Sequence, residues 1–343
     1  MRQVHLVGSI GLDTVDEVFQ AAGTLLGPYL KRVPDGEPGG RRLWTSWQYP
    51  VLRANPFLQV DRAKASTLTT GFLPLTLAEG VKAGDVRFGE LGYAREARAS
   101  YQDFLQARDR GVLPREVRFQ VCLPTPFAVI GRTIDEEVRP AVLAAYEAAM
   151  LREVLTICDA IAHSDLALQW DVCFEMLIWD GRWAAMPPFE GMEKYFLEMF
   201  RRISEPVPTD VQLGFHLCYG DLDATHFVEP QDATKMTELA NLIVSNARPP
   251  IAWVHMPVPI ARDDDAFFAP LKNLRLPQGT ELYLGLVHAK DGVEGTRRRI
   301  TAAKKVVGQF GIAAECGIAR ARTPETVLKF LEVHAGAATD PAG

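Results

Sequence analysis

His216-Leu217-Cys218 sets an imidazole and a thiol two residues apart. On a β-strand, residues i and i+2 share a face, so both side chains reach toward one point. Cys316, far along the chain and just before Gly317, supplies a second thiol. Imidazole and thiolate are donors that zinc takes, and a catalytic zinc keeps one coordination position open. A lone His-x-Cys pair is most often ordinary core, since free cysteine is commonly buried. Here the turn Tyr219-Gly220-Asp221 follows the pair directly, and Cys316 also precedes a glycine, so both sit where strands end. An open position on such an ion activates a thiol or a water, and thiolate-rich coordination favours the thiol. The expected chemistry is therefore alkyl transfer, methyl above all, to a sulfur held as a zinc thiolate. The alternatives are a zinc-dependent lyase or hydrolase that activates water or a substrate oxygen on the same scaffold, an epoxide:thiol alkyltransferase, and a metal-binding barrel without turnover.

These residues need elements to bring them together. Short β-branched runs predict strands over Val4–Ser9, Leu30–Val33, Val117–Leu123, Leu166–Val172, Val211–Cys218, Ile251–Met256, Leu282–Val287 and Ile312–Cys316. Amphipathic stretches between them, such as Val138–Ile161, Met192–Ile203, Lys235–Ser245 and Thr296–Phe310, predict helices. Eight strands with helical crossovers imply an α/β fold, a single (β/α)8 TIM barrel over residues 1–336. Residues 337–343, small and polar, are expected to fray. The connection over about residues 38–116 is long and rich in Pro, Gly and aromatics, and reads as a lid-like insertion after strand two. Inside it, Val86–Tyr93 is strand-like and Arg95–Arg108 helix-like.

A parallel barrel gathers its chemistry at the C-terminal ends of its strands. Those ends carry Gly8-Ser9, Asp35-Gly36-Glu37, Cys122, Gln169 with Asp171, His216 with Cys218, His255, His288 and Cys316. Asp171 and Glu175 are candidates for orienting a substrate ammonium or a metal ligand, and Arg41 or Arg42 for gripping a carboxylate. His288 titrates in the range that suits a general acid, so His288 and Asp171 are the expected catalytic groups. Cys122, Cys173 and Cys158 read as packing, and His226 has no nameable partner.

The 343 residues are 48% hydrophobic and 23% charged, with a net charge of −6, which argues against a nucleic-acid surface. The run Arg297-Arg298-Arg299 reads as a solvated helix face. No signal-peptide pattern opens the chain and no apolar stretch approaches the ~20 residues of a membrane span. Five scattered cysteines fit free or metal-bound thiols in a reducing compartment, so a cytoplasmic location is expected.

In the order of its strand-end motifs the chain resembles the cobalamin-independent methionine synthases and their shorter relatives. His216-Leu217-Cys218-Tyr219 and Glu315-Cys316-Gly317 look like that family's H-x-C-Y and D-C-G zinc motifs. Leu168-Gln169-Trp170-Asp171 looks like its I-Q-x-D strand, Asp35-Gly36-Glu37 like its H-G-E motif, and Gly8-Ser9 like its opening G-S. Pro124-Thr125-Pro126 loosely echoes its G-P-x-T loop. The resemblance implies a zinc cofactor, a tetrahydrofolate-type methyl donor or acceptor, homocysteine as the acceptor, and substrate contacts from Glu37, Ser9 and Gln169. Two strands depart from the family pattern: in Ala252-Trp253-Val254-His255-Met256-Pro257, His255 stands where a Glu ligand is usual, which makes it the candidate for a further metal ligand, and His288 stands where Asp is common. The expected partners are a small-molecule thiol and an alkyl donor, with neither nucleic acid nor membrane; a homodimer is compatible with the chain.

Overall fold

The computed structural model describes residues 1–64 and 71–339. Eight of its strands form one ring: β1 (Val4–His5), β2 (Arg32–Pro34), β5 (Arg118–Pro124), β6 (Leu166–Val172), β7 (Gln212–Leu217), β8 (Trp253–Pro257), β9 (Glu281–Val287) and β10 (Gly311–Ala314). Around the ring the order is β1, β10, β9, β8, β7, β6, β5, β2, and every pairing is parallel. A parallel bridge between Val4 and Leu30 joins the two ends. The eight-stranded barrel expected from the alternation of strand and helix patterns is therefore present, with each strand where a β-branched run predicted it.

Helices α1 (Val15–Leu26), α3 (Tyr93–Asp109), α5 (Arg139–Ala160), α7 (Met192–Ser204), α8 (Thr234–Asn246), α10 (Gly292–Lys304) and α11 (Pro324–Ala338) surround the ring. Shorter helices are α2 (Tyr49–Arg53), α4 (Pro126–Ile130), α6 (Phe174–Asp180) and α9 (Asp265–Phe268). Thr14 opens α1 with a reciprocal capping box to Glu17, and Thr323 caps α11 ahead of Pro324. The last helix does not stop before Gly336. It runs to Ala338, with Ala337 and Ala338 buried and Arg2 N–H donating to Ala338 O at 3.1 Å. Residues 340–343 of the expected tail lie outside the described residues.

The long connection after β2 differs from its reading. Helix α3 packs on α1 and α5 and is the barrel's own crossover, so the extra material ends near residue 92. It holds α2 and an antiparallel hairpin, β3 (Leu58–Val60) with β4 (Leu75–Leu77), which the sequence reading missed. Val86–Tyr93 is not a strand. Val86, Phe88 and Leu91 are buried, which explains the strand-like pattern, but side chains rather than a neighbouring strand satisfy the backbone. Asn55 Nδ2 donates to Arg87 O, Arg152 Nη2 to Phe88 O and Gln48 Nε2 to Leu91 O, while Glu153 accepts from the N–H groups of Leu91 and Ala94.

Inside the ring, inward side chains stack in tiers. At the bottom, Arg32 bonds Gln212 and Glu281 and lies 4.1 Å above the Trp253 ring. In the middle, Gln169 Oε1 meets His5 Nε2 at 2.9 Å and Trp253 Nε1 at 3.2 Å. The top tier opens toward the strand ends and holds the candidate site. Trp253 fits because β7 offers Gly214, where a Cβ would lie 2.0 Å from the indole ring. Gly214→Ala is therefore expected to destabilise the fold by about 1–3 kcal/mol or more through overpacking, read as a lower urea midpoint. An unchanged midpoint would mean the barrel interior yields more easily than this packing implies.

Candidate metal centre

Strand β7 delivers His216 and Cys218 to the barrel mouth, one as its penultimate residue and the other just past its end. Cys316 follows β10, across the ring. The ligand atoms of His216, Cys218 and Cys316 all lie within 4.8 Å of one another. The two sulfurs are 3.5 Å apart. Two metal–sulfur bonds of about 2.3 Å at a tetrahedral angle would set them about 3.8 Å apart, so the pair needs almost no movement to share an ion. His216 Nε2 is buried and has no hydrogen-bond partner among the described residues. A buried ring nitrogen left unpaired is costly, and a metal ion is one partner that would satisfy it.

The tautomer that leaves Nε2 open is fixed from behind. His216 Nδ1 lies 2.7 Å from His255 Nδ1, and His255 Nε2 lies 3.0 Å from Ala314 O. The Ala314 carbonyl can only accept, so His255 carries its proton on Nε2 and its Nδ1 accepts from His216 Nδ1–H. Burial pushes the pKa of His255 down to about 3, which keeps this ring neutral. His255 thus spends both nitrogens on hydrogen bonds. It does not stand as the further ligand expected from its place in β8, and is instead the support of a ligand.

The Cys218 thiol is pushed up by its contact with the Cys173 thiol, and that of Cys316 by its contact with Cys218, with burial adding to both. Without a cation both stay protonated; a dication beside them reverses that balance. The Gly220 N–H already donates to Cys218 Sγ at 3.2 Å, a bond suited to a thiolate. Cys173, read as packing, lines the same cavity. The donor set of one unpaired imidazole nitrogen and two adjacent thiols fits zinc.

The cavity above this cluster is lined by Ser9, Glu37, Asp171 and Arg320, and by the aromatic side chains Trp44, Phe72, Phe174 and Phe227. Leu43–Ser46 and Phe72 belong to the extra segment after β2, which therefore supplies part of the wall. Glu37 (φ 53°) and Trp44 (φ 52°) both adopt the left-handed conformation. Such backbone costs about 1–3 kcal/mol per residue and persists where the surroundings impose it. At Glu37 the Asp35 carboxylate accepts its N–H at 3.0 Å and fixes the bend. Burial, then the nearby Asp171 and Asp35, raises the pKa of Glu37 to about 8. Burial raises that of Asp171 to about 7, against a hydrogen bond from Gln169 Nε2 at 2.9 Å and another from Trp44.

Other candidates fall outside the cavity. Gln169 is committed within the barrel, to His5, Trp253, Val7 O and Asp171, and reaches a ligand only through Asp171. Arg41 is paired with Asp35 at 2.8 Å and lines a neighbouring cavity that shares Glu37 and Trp44. Arg42 bonds Leu12 O and Asp13. Glu175 lies in the first turn of α6, buried, with Thr125 donating to it. His288 is not among the residues lining the main cavity. Its Nε2 donates to Val258 O at 2.9 Å, and burial together with the Arg299 charge lowers its pKa to about 3, which disarms it as a cationic acid near neutrality. Glu315 sits between His288 Nδ1 (3.4 Å) and His226 Nε2 (3.5 Å), and His226 also meets Glu229 at 3.1 Å. His226 thus has partners that spacing alone did not reveal. Arg320 was missed too, although its position four residues beyond Cys316 marks it as part of the same βα loop.

No family model matches the chain, and no curated protein is similar to it in sequence. Its fold is shared with solved structures across nearly its whole length. A vitamin-B12-independent methionine synthase from Shewanella sp. W3-18-1, in complex with selenomethionine, superposes with a TM-score of 0.62 at 13% identity, covering 97% of both chains. A proposed vitamin-B12-independent methionine synthase from Listeria monocytogenes gives 0.60 at 15% identity, covering 98% of both. A methyltransferase from Methanosarcina mazei gives 0.51 at 9% identity, over 96% of this chain and 93% of the other. Among the described residues no helix is long and apolar enough to cross a membrane.

Proposed function

We propose that this chain is a zinc-dependent alkyltransferase, methyl-transferring, that acts on the sulfur of a small thiol in the manner of vitamin-B12-independent methionine synthases. The observation that carries the proposal is a buried His216 ring within 4.8 Å of two thiols that are 3.5 Å apart, with its Nε2 unpaired among the described residues, at the mouth of a barrel of that fold. His216, Cys218 and Cys316 would hold the ion. When bound, zinc supplies the positive charge against which an incoming thiol loses its proton near neutral pH.

The chain's own residues do the rest. His255 holds the His216 ring so that Nε2 faces the cluster, and Gly220 N–H steadies charge on Cys218. Glu37 and Asp171 line the cavity as buried carboxyls and receive the ammonium of an amino-acid thiol, with Gln169 orienting Asp171 and Ser9 closing the wall. Gly317 lets this wall close: a Cβ there would lie 2.1 Å from Ser9 Oγ. The aromatic run from Trp44 to Phe174, Trp183 and Phe227 offers a flat surface to the donor, for which a tetrahydrofolate-type molecule is suited. The sulfur attacks the methyl carbon opposite the departing atom; the S–C bond forms as the donor bond breaks, and its electron pair leaves with the donor.

Zinc-loaded protein given a methyl-tetrahydrofolate and homocysteine is expected to yield the methyl thioether, detected by mass spectrometry. Acceptor KM carries a second signature. Glu37 is protonated and neutral below about 8, and Asp171 below about 7, so at lower pH each must lose a proton before it can pair with an ammonium. KM is therefore expected to fall as pH rises from 6 to 8, by up to about tenfold per unit, and Glu37→Gln to flatten that slope. Hydrolysis of a donor with no thioether formed from any thiol would replace this reading with water activation.

A further inference from the structure

A second cavity adjoins the metal centre, between the segment Arg41–Trp47, the start of α3 and the upper end of β5. It is small, about 460 Å³ out to its opening, and takes a compact group. Among the described residues only Glu37 and Trp44 line both cavities, so these two form the partition. They are also the two non-glycine residues of this region in left-handed backbone, at φ 53° and 52°. Strain of that kind collects at active sites and ligand clamps. The rings of Trp44, Trp47, Tyr93 and Phe119, with aliphatic side chains of β5, make most of the wall. The Trp44 indole N–H is spent on Asp171 in the metal cavity, so toward the second cavity it offers ring carbon.

The polar groups of this wall are committed to one another, with one exception. Asp35 accepts from the Glu37 N–H at 3.0 Å, from Arg41 at 2.8 Å and from Ser100 at 2.7 Å. Arg41 Nε stands 3.6 Å from Glu96, which the exposed Arg95 meets at 3.4 Å from outside. The Cys122 thiol donates to Val7 O, and its sulfur accepts from Gln120. The Glu37 carboxyl takes no hydrogen bond and no ion pair among the described residues; Asp171 and Asp35 oppose its charge, and Arg41 and Arg320 favour it from a distance. Arg320 belongs to the metal side, where it is tied to Asp221 and faces Cys316. Three carboxyls therefore meet the single guanidinium of Arg41 in the wall of the second cavity, and Glu37 is the one left over.

We propose that this cavity is a subsite for a compact onium cation, a nitrogen or sulfur centre that bears methyl groups and no N–H, with Glu37 as its counter-charge. Aromatic rings attract a cation without a hydrogen bond, and methyl groups bury against them without leaving a donor unpaired. An ordinary ammonium would bring three donors to a wall with one uncommitted carboxyl. The subsite stands apart from the thiol reading and needs no metal. Asp171 lines the metal cavity alone, so an onium on the far side of Glu37 leaves that carboxyl to the acceptor.

Choline, its uncharged carbon isostere 3,3-dimethyl-1-butanol, ethanolamine and (2-hydroxyethyl)dimethylsulfonium form a matched set for calorimetry with the purified chain. The titrations are run at about pH 8.5, above the value of about 8 to which Glu37 is raised, so that its carboxyl is ionised. The wild type is expected to bind choline, the sulfonium or both at least about tenfold more tightly than the isostere and ethanolamine. The tighter of the two tells nitrogen from sulfur. Trp47→Leu is expected to weaken the onium about 3- to 30-fold, and Glu37→Gln, which keeps the side chain's shape, to remove the preference over the isostere. Phe227→Leu changes the wall of the metal cavity only and should hold onium affinity within about twofold. No onium binding by the wild type, or equal binding of onium and isostere, would overturn the subsite whether or not Trp47→Leu folds. Equal binding of ethanolamine would overturn the methylated class of ligand. A loss in Phe227→Leu with none in Trp47→Leu would put the cation in the metal cavity and overturn the subsite as well. None of these results bears on zinc retention or thioether formation, so the proposed function stands or falls separately.

Discussion

Cys218→Ala, Cys316→Ala and His216→Ala are each expected to release zinc from a protein that otherwise carries about one ion per chain. The size of the effect follows from sharing the binding energy. A structural zinc site with a full ligand set is worth about 10–16 kcal/mol, so removal of one of three protein ligands costs about 3–5 kcal/mol, or about 10²- to 10⁴-fold in affinity. The geometry makes the loss of His216 decisive because the imidazole behind it offers no replacement nitrogen. His255, the nearest imidazole, is turned away by its bonds to His216 and Ala314. The barrel itself should survive, since the three residues sit at the mouth and the tiers of Arg32, Gln169 and Trp253 lie below them. Zinc content by atomic emission, against unchanged circular dichroism, reads the prediction. Full zinc in all three variants would remove the site.

His255→Ala is expected to weaken zinc about 10- to 100-fold without abolishing it, which separates a support from a ligand. In the intact protein His216 Nδ1–H donates to His255 at 2.7 Å. The alanine variant leaves that donor unpaired in a buried place, and the ring is free to turn or to change tautomer, so that Nε2 no longer faces the thiols on its own. Competition against a chelator gives the affinity. A loss as complete as that of Cys218→Ala would instead make His255 a ligand, and no loss would make the histidine pair ornamental.

The residues that bear chemistry were legible because a parallel barrel imposes a rule: reactive groups cluster at strand ends, and period-two runs locate those ends. His216, Cys218 and Cys316 converge as that rule required. The rule does not reach side-chain partners. His255 sits in the middle of β8 and His288 just past β9, yet one supports a ligand and the other bonds Val258 O behind the wall, because register fixes where a residue lies and not which nitrogen is spent. Gln169 was expected at a substrate and is consumed within the barrel, where five neighbours compete for its amide: His5, Val7 O, Cys122, Asp171 and Trp253. Val86–Tyr93 misled for a related reason: its buried side chains imitate a strand while Gln48, Asn55, Arg152 and Glu153 replace the neighbour that a strand needs. Arg320 escaped notice since a loop arginine on an acidic chain is usually solvated, whereas here it lines the cavity with its Nη2 3.8 Å from Cys316 Sγ.

X-ray absorption at the zinc edge, on the protein before and after addition of a small thiol such as homocysteine, puts the matter most plainly. The expected starting shell is two sulfurs at about 2.3 Å with one imidazole nitrogen and a lighter atom at about 2.0–2.1 Å, and the thiol should raise the sulfur count to three. A first shell without two sulfurs, or a sulfur count that the thiol does not change, would contradict a zinc site made to receive one.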